Sequence, residues 1–150
     1  MWTLAASFSV QFQQIGESLY HDTRHMLEML DLKGNTVEPI EIEQVQAWIL
    51  LTIYEFTRSC YRRGWMRAGH AFRLVQFMKL YELDIVASNT ADWVEVETKR
   101  RTFWMAYCMD RFASIRNGCP LTLSEHVVGF CPSYSLLFSC LTTEAQKVWE

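Results

Sequence analysis

Residues 99–118, KRRTFWMAYCMDRFASIRNG, constrain the fold more than any other stretch of the chain. Three cations open it, a dense aromatic and sulfur-bearing middle follows, and it stops at Asn117-Gly118-Cys119-Pro120. Steps of three and four connect Trp104, Tyr107, Cys108, Phe112 and Ile115, which is helical rather than strand spacing. Phe103, Met105 and Met109 widen that stripe, so the helix is expected to be buried on more than one side. Upstream, Asp92 followed three residues later by Glu95 has capping-box character, with Asp in place of Ser or Thr. Glu95 and Glu97 put negative charge where it suits the helix dipole. Gly118 can take the left-handed conformation past a helix end, and Pro120 cannot continue a helix. The expected element is one helix over 93–117, with Trp104 in the core against the preceding helices.

The rest of the chain reads as further helices around it. Residues 1–11 carry no clear period. Over 12–32, Phe12, Ile15, Leu19, Leu27 and Leu30 follow helical spacing, and Lys33-Gly34 supplies a stop. Pro39 suits the first turn of a second helix over 40–61, whose Ile42, Val45, Trp48, Ile49, Thr52, Ile53 and Phe56 share a face. Arg62-Arg63-Gly64 is expected to break it. A third helix over 65–81 follows, with Ala68, Ala71, Phe72, Val75 and Met78 on one face. The small residues Ala68, Gly69 and Ala71 offer a place for close approach, with Trp48 or Phe56 as neighbours. So short a connection makes these two helices an antiparallel hairpin, close in length to one tetratricopeptide-like repeat, without a second copy. Residues 82–91 read as polar connection, Ser124 as a possible start of another helix, and the segment after His126 shows no clean period. The fold class is all-α.

Composition narrows the function. The chain has 150 residues, half of them hydrophobic, enough for one domain or part of one. Its formal net charge of −3 gives no general attraction to nucleic acid. No apolar run reaches the ~18 residues of a membrane span, and no secretory leader is visible, so an intracellular protein without a membrane role is expected. Five scattered cysteines lack Cys-x-x-Cys spacing, so zinc and redox signatures are absent.

Three groups could carry chemistry. His21-Asp22-Thr23-Arg24-His25 places two histidines four apart, the spacing of zinc-protease helices. Its acid is the shorter Asp, and no third ligand stands out. Two histidines on a solvated face is the favoured reading over a metal-dependent helical enzyme. Arg62, Arg63, Arg67 and Arg73 form one basic cluster and Lys99, Arg100 and Arg101 another. Flanking acids make solvated ion pairs, to Glu95, Glu97 or Asp110, the favoured reading over phosphate contact. Cys60, Cys108 and His70 lack an orienting third group, which argues against a cysteine nucleophile. Asp110-Arg111 amid aromatics is expected to form an ion pair inside the fold. The residue pattern therefore assigns no catalytic, metal-binding or DNA-binding residue and no cofactor.

Two blocks of residues go further. IEQVQAWILLTIYEFTRSCYRRGWMRAGHAFRLVQFMKLYELD, residues 42–84, resembles the helical hairpin in the middle homology region of fungal zinc-cluster transcription factors. EVETKRRTFWMAYCMDRFASIRNGCPLTLSE, residues 95–125, resembles that family's next block, where Thr-Phe-Trp and a Tyr-Cys-x-Asp-Arg-Phe core end in a Gly-x-Pro turn. With a looser match upstream, the resemblance covers residues 7–126, leaving 127–150 unplaced. It implies a regulatory and protein-interaction domain, nuclear in its full-length setting, with protein partners or self-association. The expected core of the motif is Trp48, Phe56, Gly69, Phe72, Phe103, Trp104, Tyr107 and Phe112. The family's six-cysteine cluster, which binds zinc and DNA, is not in this sequence, so zinc and DNA are expected only through that missing part. The resemblance thus implies a truncated piece of a larger helical domain, or a gene model with wrong ends. A free-standing helical adaptor with no transcriptional role is the other alternative.

Overall fold

The computed structural model describes residues 1–33, 40–83 and 93–123, and these residues form five helices, four of them over stretches of helical spacing separated by short polar breaks. They are α1 (Trp2–Ser7), α2 (Gln13–Lys33), α3 (Ile42–Thr57), α4 (Tyr61–Phe77) and α5 (Trp93–Asn117). Single 3-10 turns lie at Val10–Phe12 and Leu80–Glu82. The described residues contain no strand, and the fold is all-α. Among the described residues, no helix is long and apolar enough to cross a membrane. The expected connection over 84–91, the start at Ser124 and residues 127–150 lie outside the described residues.

The α3–α4 hairpin is the centre. Val45, Trp48, Ile49, Thr52 and Glu55 recur at threes and fours and are all buried on one side of α3. Ala68, Ala71, Phe72 and Val75 answer them from α4. Helix α5 crosses both, with Phe103, Ala106 and Tyr107 buried in the same cluster, and α2 adds Tyr20 and Leu27. Each large apolar side chain enclosed there contributes about 1.5–3 kcal/mol. Helix α1, in the stretch whose sequence shows no period, packs along α2, where Thr3 Oγ1 and Thr23 Oγ1 lie 3.0 Å apart.

The hairpin turns earlier than the Arg62-Arg63-Gly64 signal indicates. Ser59 adopts a left-handed backbone with φ of 59°, and the Cys60 N–H donates to the Glu55 carbonyl at 2.9 Å. That geometry closes α3 in the manner usually given to glycine. The arginines and Gly64 therefore lie inside the first turn of α4. Gly64 is kept small by the Phe56 ring, which a Cβ there would meet at 2.9 Å. Gly69, expected to provide the close approach, has no neighbour within 4 Å of a Cβ position, so it is not the packing glycine.

Helix α5 matches its expected bounds but is turned. Its buried face runs Phe103, Ala106, Tyr107, Asp110, Ala113 and Ser114. Phe112, expected in the core, is 60% exposed, and Met105 and Ile115 face outward with it. Trp104 is half-buried at the rim, its ring edge-on to Phe103 and Tyr107. The inward face is one residue, or about 100°, from the face that the largest side chains mark. Small and polar residues occupy it because α5 lies close against the hairpin.

The end of α5 explains Asp110. Gly118 sits at φ of 63° and the Cys119 N–H returns to the Ser114 carbonyl, which reverses the chain. The reversed chain then gives its Thr122 and Leu123 N–H groups to Asp110 Oδ2 at 2.9 and 2.7 Å. Gln76 Nε2 holds the Thr122 carbonyl from α4, and Leu123 is buried. Asp110 is thus a clamp on the turn rather than a partner of Arg111. The Arg111 guanidinium lies 4.1 Å over the Tyr107 ring and donates to its hydroxyl. Adjacent helical positions point apart, so the expected Asp110–Arg111 pair gives way to two separate contacts.

Candidate functional site

Three helices bring polar side chains to one point beneath the hairpin turn. Glu55 continues the buried row of α3 and is 1% exposed. A carboxylate at that depth requires donors. Tyr20 Oη from α2 donates to Glu55 Oε1 at 2.6 Å, and Arg67 Nε from α4 donates to the same oxygen at 2.7 Å. Arg67 also lies 3.7 Å from Glu28 Oε1, which accepts from Arg24 Nε at 2.7 Å. Burial pushes the Tyr20 phenol up, and its bond to the Glu55 carboxylate adds to the shift. The Arg24 guanidinium holds the Glu28 carboxyl below its ordinary value. Tyr20 stacks on Tyr54 with ring centroids 5.2 Å apart, so α2 is fixed to α3 by an apolar and a charged contact together.

Above this knot lies an open groove of about 720 Å³ between α2 and the start of α4. Trp48 lies against Arg67, whose guanidinium is 5.5 Å from the ring, and against His70, edge-on at 4.7 Å. His70 Nε2 is 3.1 Å from Asp31 Oδ2 but off the angle of a hydrogen bond. The Trp48 indole N–H and Glu55 Oε2 are buried without hydrogen-bond partners among the described residues.

The groups singled out in the sequence separate. His21 and His25 are both exposed on α2, and among the described residues no three His, Cys, Asp or Glu side chains converge as metal ligands. Arg67 belongs to the knot, whereas Arg62, Arg63 and Arg73 are exposed. Lys99 pairs with Glu95, and Arg100 and Arg101 both pair with Glu97 at 2.8 Å, so all three cations of this run have acidic partners on their own helix. Those two arginines hold the Glu97 carboxyl below its usual range. Cys60 is near the groove, Cys108 is on α5, and burial pushes the Cys108 thiol up, away from the reactive thiolate. Glu55 and Tyr20 are the residues that sequence reasoning missed. Their signal was an acid in register with Val45, Trp48 and Thr52, twelve residues before an arginine on the facing helix.

The arrangement joins helices and leaves a groove rich in arginine; among the described residues it does not align a nucleophile with a base. The family model described as the fungal specific transcription factor domain matches residues 1–129. The chain belongs to this family. Its relatives include the pigment biosynthesis transcriptional activator pigB of Monascus ruber, 51% identical over 139 residues. The citrinin biosynthesis transcriptional activator ctnR of Monascus purpureus is 48% identical over 131 residues. The ascochitine biosynthesis cluster transcriptional regulator of Didymella fabae is 44% identical over 131 residues. These matches cover 87%, 85% and 85% of this chain and 25%, 23% and 23% of the relatives, so the chain spans about a quarter of their length. No solved structure matches. The match takes in α1 as well as the two blocks on which the resemblance rests.

Proposed function

We propose that this chain is a regulatory and protein-interaction domain of a fungal transcription factor controlling biosynthesis genes, that it acts in the nucleus, and that it is not an enzyme. The observation that carries this reading is the family match over residues 1–129, on a scaffold whose buried charges are spent joining α2, α3 and α4. Such a domain works by presenting surface, either to another protein or to a second copy of itself. The regulatory unit is residues 7–126, with α1 packed onto it; DNA and zinc contacts belong to a separate part of the family's architecture.

Fusion to a heterologous DNA-binding domain tests this directly. In a fungal host, the fusion is expected to change transcription of a reporter relative to the DNA-binding domain alone. Immunoblotting and nuclear fluorescence report that the fusion is present and in place. A fusion that accumulates in the nucleus and leaves the reporter unchanged would overturn the proposal.

A further inference from the structure

Helix α2 lies on the hairpin without being built into it. It has 21 residues, and among those described only Gly16, Tyr20 and Leu27 are buried. The 16 residues of α3 bury seven and the 25 of α5 bury nine. Ile15, Met26 and Leu30 of α2 face solvent instead. Helices in a domain are held mainly by the apolar surface they bury, so α2 is the weakly welded member. Helix α1 belongs with it: Thr3 meets Thr23, and Ala6 is the neighbour that a Cβ at Gly16 would touch, at 4.0 Å.

The charges divide along the same boundary. Short ion pairs stay within each side, Arg24 with Glu28 on α2 and Arg67 with Glu55 on the hairpin, both at 2.7 Å. Across the boundary the arginine–carboxylate contacts are long, Glu28 to Arg67 at 3.7 Å and Glu17 to Arg58 at 3.9 Å. Long, partly exposed pairs contribute little. Gln44 Nε2 donates to Asp31 Oδ1 at 2.9 Å, but in an exposed position. Among the described residues, the one short buried bond that crosses is from the Tyr20 hydroxyl to Glu55, at 2.6 Å. Its donor is neutral. If α2 lifts away, Glu55 keeps Arg67, water takes the place of the phenol, and no buried charge is left uncompensated.

We propose that α1 and α2 form a detachable arm, which opens as one unit while α3, α4 and α5 stay folded. Tyr20 is its latch. Opening uncovers Tyr54, on which the Tyr20 ring stacks, and the neighbouring Glu55–Arg67 pair. The domain then has a closed and an open surface to present. This deepens the regulatory reading and rests on it only for the use of the second surface. The opening itself is measured on the isolated chain without a reporter, so either can fail alone.

Hydrogen exchange of the 150-residue chain under native conditions, followed by mass spectrometry, tests the opening. The hydrogen-bonded amides of α1 and α2 are expected to share one level of protection, about tenfold or more below that of the α3 and α4 core. Tyr20→Phe keeps the ring and removes the latch bond, and is expected to speed exchange in both α1 and α2 about tenfold. Phe103→Leu weakens the core from α5, which does not pack on α1 or α2 among the described residues. It is expected to speed the α3 and α4 amides about tenfold and to leave α1 and α2 within about twofold. One common rate for all the helices would overturn the proposal, as would Phe103→Leu speeding α1 and α2 as much as the core. So would Tyr20→Phe acting on α2 alone or on neither helix, because the two would then not open as a unit.

Discussion

Glu55→Ala is expected to destabilise the domain by about 3–5 kcal/mol, the cost of leaving one side of a buried ion pair uncompensated. The variant removes a side chain that is 1% exposed and leaves two donors without their acceptor, the Tyr20 hydroxyl and the Arg67 guanidinium. Such a loss is a large part of the ~5–15 kcal/mol that typically holds a domain together. Urea or thermal unfolding of the variant beside the parent measures it. Glu55→Gln keeps the shape and one acceptor oxygen, so it is expected to lose less. A double-mutant cycle with Arg67→Met separates the pair from simple loss of packing. Additive losses in that cycle would mean that Glu55 and Arg67 are not coupled, contrary to their 2.7 Å contact.

The second large effect comes from the orientation of α5. Phe103→Ala is expected to cost about 3–5 kcal/mol, as for other buried aromatic truncations. Phe112→Ala, nine residues along the same helix and largely in solvent, is expected to stay within about 0.5 kcal/mol. Phe103 is buried in the cluster with Trp48 and Phe72, whereas Phe112 is 60% exposed. Thermal melts of the two variants compare them under identical conditions. Equal losses would mean that the inward face of α5 is the one marked by its largest side chains.

That comparison also shows why the sequence could be read for some features and not others. The limits of α5 are written in local chemistry: Glu95 near one end, Gly118 at φ of 63° at the other. Its rotation is not, because apolar residues surround the helix on nearly every side and periodicity cannot choose among them. Ala106, Ala113, Ser114 and Asp110 face inward because the hairpin is close, a fact set by tertiary packing. The Ser59 turn was hidden for a related reason. Gly64 offered an obvious break, but its lack of a side chain serves the Phe56 ring instead. The Glu55 knot is long-range in sequence: the acid in register on α3 marks Glu55, but Tyr20 lies 35 residues from its partner, and no local pattern joins the two. By contrast, the hairpin and the Thr-Phe-Trp to Gly-x-Pro block carry enough side-chain identity to reveal the family from residues alone.

A chimera tests the central claim that this chain is a working regulatory domain. The matching 139-residue segment of Monascus ruber pigB, 51% identical, would be replaced by the corresponding part of this chain. Transcripts of the host's pigment-biosynthesis genes are then measured against the parent strain and a strain lacking pigB. The account predicts that the chimera sustains those transcripts and that Glu55→Ala within it abolishes them. A chimera that accumulates to parental levels yet gives the transcripts of the strain lacking pigB would contradict it.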